Sequence, residues 1–355
     1  LLTLILLLHP DPLLALSRLQ PEVEVKVRAY LAALAWSIPA SLMFRVLYGF
    51  SSGIGRPRPI MVLNLIGLAL KVPLNIVFIY GHWGMPAMGA AGCGIASSLV
   101  AWTVCLLGWA WCRHENEYTI YAIFSRWSAP HMGRILTLLR LGLPMGASFL
   151  VDVTAFTFMA LFIARLGPIA SGAHQIAANL AALLYMLPLS VGNAASVLVG
   201  QALGRGEPAT ARRVGLTGML IGMGCAVITS LCLTLGNDAI AGLYTRDAGV
   251  RQLAAQLIAI VAIYHLADGL QAVVVNLVRG YKKALVPMLI YAVFLWGVGL
   301  TGGVVLGLTD LLGPARGAAG FWMSAIAGLG IAGLLVTAYW WRVSHQASVP
   351  AATMV

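Results

Sequence analysis

Two acids stand where acids are costly. Asp152 lies within GLPMGASFLVDVTAFTFMALF and Asp268 within IAIVAIYHLADGLQAVVV, whereas the other nine of the eleven Asp and Glu fall in loops or at helix ends. A carboxylate surrounded by hydrocarbon is strongly unfavourable unless it faces a cavity, takes a proton or finds a cation. Asp152 is 12 residues from Arg140 and Asp268 is 11 residues from Arg279. At ~1.5 Å per helical residue, both sit roughly 17 Å from a basic boundary. Matched depth favours one joint site at Asp152 and Asp268, for a cation or a proton; the alternative is a pair of structural carboxylates hydrogen-bonded between helices. Two close carboxylates disfavour joint ionisation, so a proton or a cation is expected between them. Tyr264 precedes Asp268 by four residues and shares its helical face, with Gln271 and Asn276 on or near it. Its phenol can donate to the carboxylate, or its ring can flank a cation.

Other polar residues form looser groups. His174, Gln175 and Asn179 cluster early in the helix after Pro168 and suit a relay, a substrate contact or plain helix packing; His265 neighbours Tyr264 but points to another face. Lys71, just before Pro73 and Asn75, lies deep in an apolar run, where it can repel a cation, ion-pair with the helices expected before Leu1 or pack in a wet cavity. Arg45 is close enough to a helix end to snorkel. Phe149, Phe156, Phe158, Met159, Tyr185 and Met186 offer an adaptable apolar lining. There is no nucleotide-binding P-loop, HExxH or CxxC and no plausible nucleophile elbow in the chain. Catalytic residues and a bound cofactor are therefore not expected, and the reading is of a non-enzyme. The five cysteines, all in or at the end of apolar runs, read as core residues.

The elements that must position these residues are set by composition. Of 355 residues 60% are hydrophobic and only 9% charged. That is far from the roughly one-quarter charge of soluble domains, and the continuous apolar runs exclude an alternating β-barrel. The fold class is an all-α polytopic membrane protein. After a helix remnant at 1–8, helices are predicted near 27–50, 59–80, 89–112, 136–164, 169–200, 210–235, 250–278, 284–308 and 318–341. Pro39, Pro73, Pro144, Pro188 and Pro287 are expected to interrupt them. A net charge of +11 without a basic run longer than two residues argues for membrane topology rather than nucleic acid.

A shift of 227 or 228 positions aligns Leu8-His9-Pro10-Asp11 with Leu235-Gly236-Asn237-Asp238. It also aligns Gly53 with Gly280, and Gly89-Ala90-Ala91-Gly92 with Gly317-Ala318-Ala319-Gly320. The implied architecture is two six-helix lobes in a parallel repeat, with the first incomplete: about ten of twelve helices, and about 90 residues preceding Leu1. The lobes are expected at 1–112 and 133–345, joined by a cytoplasmic linker at 113–132, with a tail at 346–355. Thirteen Lys and Arg fall on the side of that linker and seven on the other, which places the linker and the C-terminus in the cytoplasm.

The segments GLPMGASFLVDVTAF (142–156), GAHQIAANLAALLYMLPLS (172–190), ADGLQAVVVNLVRGYK (267–282) and VPLNIVFIYGHWGMPAMGAAGCGIAS (72–97) resemble, in order, the MATE family of multidrug and toxic compound extrusion transporters, NorM-like branch. The resemblance covers nearly the whole chain. It implies a monomeric twelve-helix antiporter in the bacterial inner membrane. Such a protein exports small cationic amphiphilic drugs and dyes in exchange for Na⁺ or H⁺ by alternating access. It also implies a cation site at Asp152, Tyr264 and Asp268, although the family usually carries Glu at the first of these. A lipid-linked sugar flippase of the wider superfamily would prefer basic residues in its cavity, and Lys71 and Arg45 speak for that alternative. A membrane-embedded lipid-modifying enzyme would need clustered His, Asp and Glu at one membrane face, and none is evident.

Overall fold

The computed structural model describes residues 2–11, 14, 20–121, 129 and 131–348. Arg18, Arg126 and residues 349–355 of the expected tail lie outside them. The chain divides into two compact units, Leu1–Ala129 and Pro130–Val355. Among the described residues nine helical segments are long and apolar enough to cross a membrane.

The first unit contains α1 (Leu2–Leu8), α2 (Pro21–Ala35), α3 (Ser37–Gly53), α4 (Arg58–Tyr80), α5 (Ala90–His114) and the short α6 (Asn116–Thr119). α5 packs against α2, α3 and α4. Where one helix over 27–50 is predicted, the helix starts at Pro21 and breaks at Trp36. Pro21 fits the first turn, where its missing N–H is not needed. Pro39 lacks an N–H, and its ring collides with the carbonyl four residues back, at Ala35; the interruption falls there. The beginning of the 113–132 segment belongs to this unit. The Tyr118 hydroxyl, fully inside, donates to Ser51 Oγ at 3.0 Å, and Arg56 pairs with Glu117 at 2.5 Å.

The second unit contains α7 (Met132–Ala164), α8 (Pro168–Gly204), α9 (Pro208–Tyr244), α10 (Ala248–Gly280), α11 (Leu285–Leu308) and α12 (Ala318–Ser348). α10 is central, packing against α8, α9 and α12. Small residues allow this: a methyl group on Gly192 of α8 would lie 3.1 Å from Val273 Cα, and one on Gly222 of α9 would lie 2.5 Å from Val273 Cγ2. Close backbone approach through small residues is how helices gain contact in lipid, where burial alone gives little. α10 begins with Asp247, whose side chain accepts the Val250 amide at 2.8 Å.

Three expectations are corrected here. Pro73 and Pro144 lie inside unbroken helices, as does Pro188. Pro287 falls in the first turn of α11, where no intrahelical amide bond is lost. α9 does not end near 235 but runs through Gly236-Asn237-Asp238 to Tyr244. A single Gly or Asn costs a helix only ~1 kcal/mol or less, and Asp238 is held from outside by Arg251 at 2.6 Å. The end of an apolar run there marks a change of surroundings rather than the end of the helix, so that landmark of the proposed repeat does not close a helix in the second copy. α11 also differs: its middle, Val293–Leu300, is π-helical.

Candidate functional site

The second unit encloses a cavity of about 530 Å³ between α7, α8, α10 and α11. Each helix contributes residues at helical spacing. α7 gives Ser148, Phe149, Asp152, Val153, Phe156 and Thr157. α8 gives Ala178, Ala181, Ala182, Tyr185, Met186 and Leu189. α10 gives Tyr264, Asp268, Gln271, Ala272, Val275 and Asn276, with Arg279 beyond them, and α11 gives Pro287 and Tyr291. A stripe of positions three and four apart is one face of a helix, so the cavity is made by the facing stripes of the helices that form it.

Asp152, Tyr264 and Asp268, identified in the sequence from three separate positions, line this one cavity. Asp152 is half-buried, while Tyr264 and Asp268 are buried. The two carboxylates are not equivalent. The Tyr291 hydroxyl donates to Asp152 Oδ1 at 2.5 Å, whereas no hydrogen bond reaches the Asp268 carboxylate among the described residues. Tyr264 is fixed from behind by Trp322 of α12, with ring centroids 5.1 Å apart and planes at 86°. Phe156 meets the same tyrosine edge-on at 6.4 Å. Both geometries are favoured by the ring quadrupoles.

The remaining candidates separate. Gln271 is buried and lines the cavity. His174 does not line it: it is buried behind, 5.7 Å from the Trp322 ring, with Nδ1 unpartnered among the described residues. Gln175 is exposed, and Asn179 accepts a hydrogen bond from Tyr244 at 3.0 Å, away from the cavity. His265 is fully buried outside the cavity lining. Lys71 belongs to the first unit, where its ammonium donates to Ser97 Oγ, which in turn donates to the Cys93 carbonyl at 2.7 Å. Of the six residues read as an apolar lining, Phe149, Phe156, Tyr185 and Met186 take that place. Phe158 instead packs on Trp296, and Met159 is in the core.

Two site residues escaped the sequence reading. Tyr291 lies in an apolar run with no polar neighbour to mark it. Arg279 has the position of a boundary charge, yet it lines the cavity and donates to Asn276 Oδ1 at 3.3 Å. Asn276 in turn donates to the Ala272 carbonyl at 2.8 Å. Among the described residues no group of three or more His, Cys, Asp or Glu is arranged to hold a metal. What the cavity offers is a pair of carboxylates, one of them without a donor, set among aromatic faces. Such a combination can attract positive charge, at the carboxylates and over the ring faces.

The MatE family model matches residues 1–77 and 144–305. The chain belongs to the MatE family. It is 38% identical over 334 residues to the probable multidrug resistance protein NorM of Aromatoleum aromaticum, an alignment spanning 93% of this chain and 72% of that protein. It is 37% identical over 319 residues to the multidrug resistance protein PmpM of Pseudomonas aeruginosa, spanning 90% of this chain and 67% of the relative. Among solved structures, the outward-facing conformation of a multidrug resistance MATE family transporter of the MOP superfamily superposes with a TM-score of 0.86 at 18% identity, covering 97% of this chain and 75% of that one. The Vibrio cholerae MATE transporter VcmN in the bent form gives 0.84 at 19% identity, covering 98% of this chain and 76% of that one. With these relatives and nine membrane-capable helices among the described residues, this MatE chain is a multi-pass membrane protein.

Proposed function

We propose that this multidrug efflux protein exports small cationic amphiphiles in exchange for Na⁺ or H⁺, with Asp152, Tyr264 and Asp268 forming the coupling site. The observation that carries the reading is the meeting of two carboxylates and several aromatic rings in one cavity inside a membrane-spanning helix unit. An uncompensated carboxylate in that setting is stable only when loaded. Loading by ion or proton and binding of the outgoing cation draw on the same negative charge, so the two compete. Each ligand shifts the transporter between access states only as far as it prefers one state over the other. The protein acts as a monomer in the bacterial inner membrane, with the 113–132 segment and the C-terminus facing the cytoplasm, in keeping with the excess of basic residues on that side.

The test is ethidium efflux from energised vesicles containing the complete protein as the cell makes it, under separately imposed Na⁺ and proton gradients. Asp152→Asn and Asp268→Asn should each abolish gradient-driven efflux at normal expression and membrane insertion. Tyr264→Phe should weaken it less, since the ring remains. Wild-type efflux from both Asn variants would make the acids structural.

A further inference from the structure

Tyr291 reaches Asp152 from a helix 139 residues later in the chain, and the way α11 is built explains how. α11 makes two hydrogen bonds to the same turn of α7: Tyr291 to Asp152 Oδ1 at 2.5 Å, and Trp296 Nε1 to the Val151 carbonyl at 3.2 Å. Residues 291 and 296 are five apart. In an α-helix, five residues overshoot a full turn and place the two side chains on different faces. In a π-helix the backbone hydrogen bond runs from i to i+5 and the turn is wider, so the overshoot is smaller, and Val293–Leu300 is π-helical. The Thr301 hydroxyl donates back five residues, to the Trp296 carbonyl at 3.0 Å, on the same register. The wider π turns, which begin two residues after Tyr291 and contain Trp296, bring Trp296 toward the side of α11 that Tyr291 faces, so both donors meet α7, and Trp296 is further fixed by Phe158, edge-on at 5.8 Å. Local π geometry is less favourable than α and recurs at functional sites.

The consequence lies in the asymmetry of the two acids. Tyr291 is buried and its donated proton compensates the Asp152 carboxylate, whereas Asp268 has no donor among the described residues. A phenol donating to an ionised carboxylate forms a short, charge-assisted bond. Once a proton or a cation occupies Asp152, its charge is neutralised and the bond weakens. We propose that Tyr291 is a positioning residue that holds the empty Asp152 carboxylate in the cavity and so opposes loading and promotes release of the coupling ion. The proposal rests on the antiport reading above. An interaction stronger in the empty than in the loaded state shifts the loading equilibrium by the difference between the two.

Tyr291→Phe keeps the ring and removes only the donor. It should make the site bind its ion more tightly and release it more slowly. With cavity water replacing part of the lost bond, the half-saturating concentration of the driving ion should fall about tenfold, and the maximal rate should fall with it. A merely structural tyrosine would lower the rate without tightening the site. The experiment uses the complete protein in proteoliposomes, with ethidium transport followed against Na⁺ at fixed pH and, separately, against proton concentration at fixed Na⁺. Calorimetric titration of the detergent-solubilised protein with the driving ion gives the same affinity change independently of turnover. If wild type is ion-driven and Asp152→Asn abolishes that drive, an unchanged or raised half-saturation in Tyr291→Phe overturns the role of Tyr291 alone. If wild type shows no ion-driven transport, or Asp152→Asn retains it, the antiport reading falls and takes this proposal with it.

Discussion

Trp322 is the residue on which the back wall of the cavity depends, and its removal has a calculable effect. Its side chain is wholly buried and meets Phe156, His174 and Tyr264, with ring centroids 6.2, 5.7 and 5.1 Å away. Helices in a bilayer gain little from hiding apolar surface, because the lipid alternative is also apolar. What Trp322→Ala loses is packing. A void of roughly 140 Å³ at ~24 cal/mol per Å³ costs about 3 kcal/mol. Trp322→Phe leaves a void of roughly 40 Å³ and costs about 1 kcal/mol by the same scale. The phenylalanine sacrifices no hydrogen bond, since Trp322 Nε1 has no partner among the described residues. For a cooperative unit of this size these values correspond to about 6–12 °C and about 2–4 °C in unfolding midpoint. Thermal unfolding of the purified protein in detergent measures both. The alanine variant should also raise the half-saturating ethidium concentration, because Tyr264 loses the ring that fixes it, while the phenylalanine variant should hold it near wild type. Equal midpoints for the two variants, or an alanine variant as stable as wild type, would refute the packing account.

Arg279→Gln removes a positive charge from the cavity wall and should lower the half-saturating concentration of a cationic dye about threefold, as expected for a charge acting through ~10 Å of partly wet cavity; steady-state ethidium transport reads this. Gln175→Ala and Asn179→Ala, both outside the cavity lining, should transport ethidium within about twofold of wild type, and a larger loss in either would return that cluster to the site. For topology, a membrane-impermeant maleimide should label Arg246→Cys in intact cells and Glu207→Cys only after permeabilisation, with the native cysteines replaced; the reverse pattern would invert the orientation.

How much of this was legible in the sequence varies with the kind of signal. Asp152 and Asp268 stood out because each is an acid in a run of apolar residues, and their depth followed from helical rise alone. Tyr264 was recoverable from its four-residue spacing to Asp268. Tyr291 was not, because a tyrosine among apolar residues packs in a core far more often than it serves a site, and its partner is remote in sequence. Arg279 looked like a boundary charge because distance along the helix says nothing of which face turns inward. His174, Gln175 and Asn179 show the converse: polar residues close in sequence that point to a buried ring, to an exposed surface and to Tyr244. The helices were legible from hydrophobic runs, but their ends were not where a run outlasts or falls short of the helix, as at Gly236-Asn237-Asp238. The π segment of α11 left no trace, since a change of period cannot be seen where nearly every residue is apolar.

If ion and drug compete for charge at Asp152 and Asp268, reversing the driving force exposes the competition. Proteoliposomes containing the complete protein are loaded with ethidium and diluted into dye-free buffer, and the inward counterflow of Na⁺ or protons is followed without any imposed ion gradient. Dye leaving the wild-type vesicles should drive one of these ions inward, and Asp152→Asn and Asp268→Asn should abolish the counterflow. Dye movement with no ion counterflow in wild type, or equal counterflow in the variants, would contradict that competition.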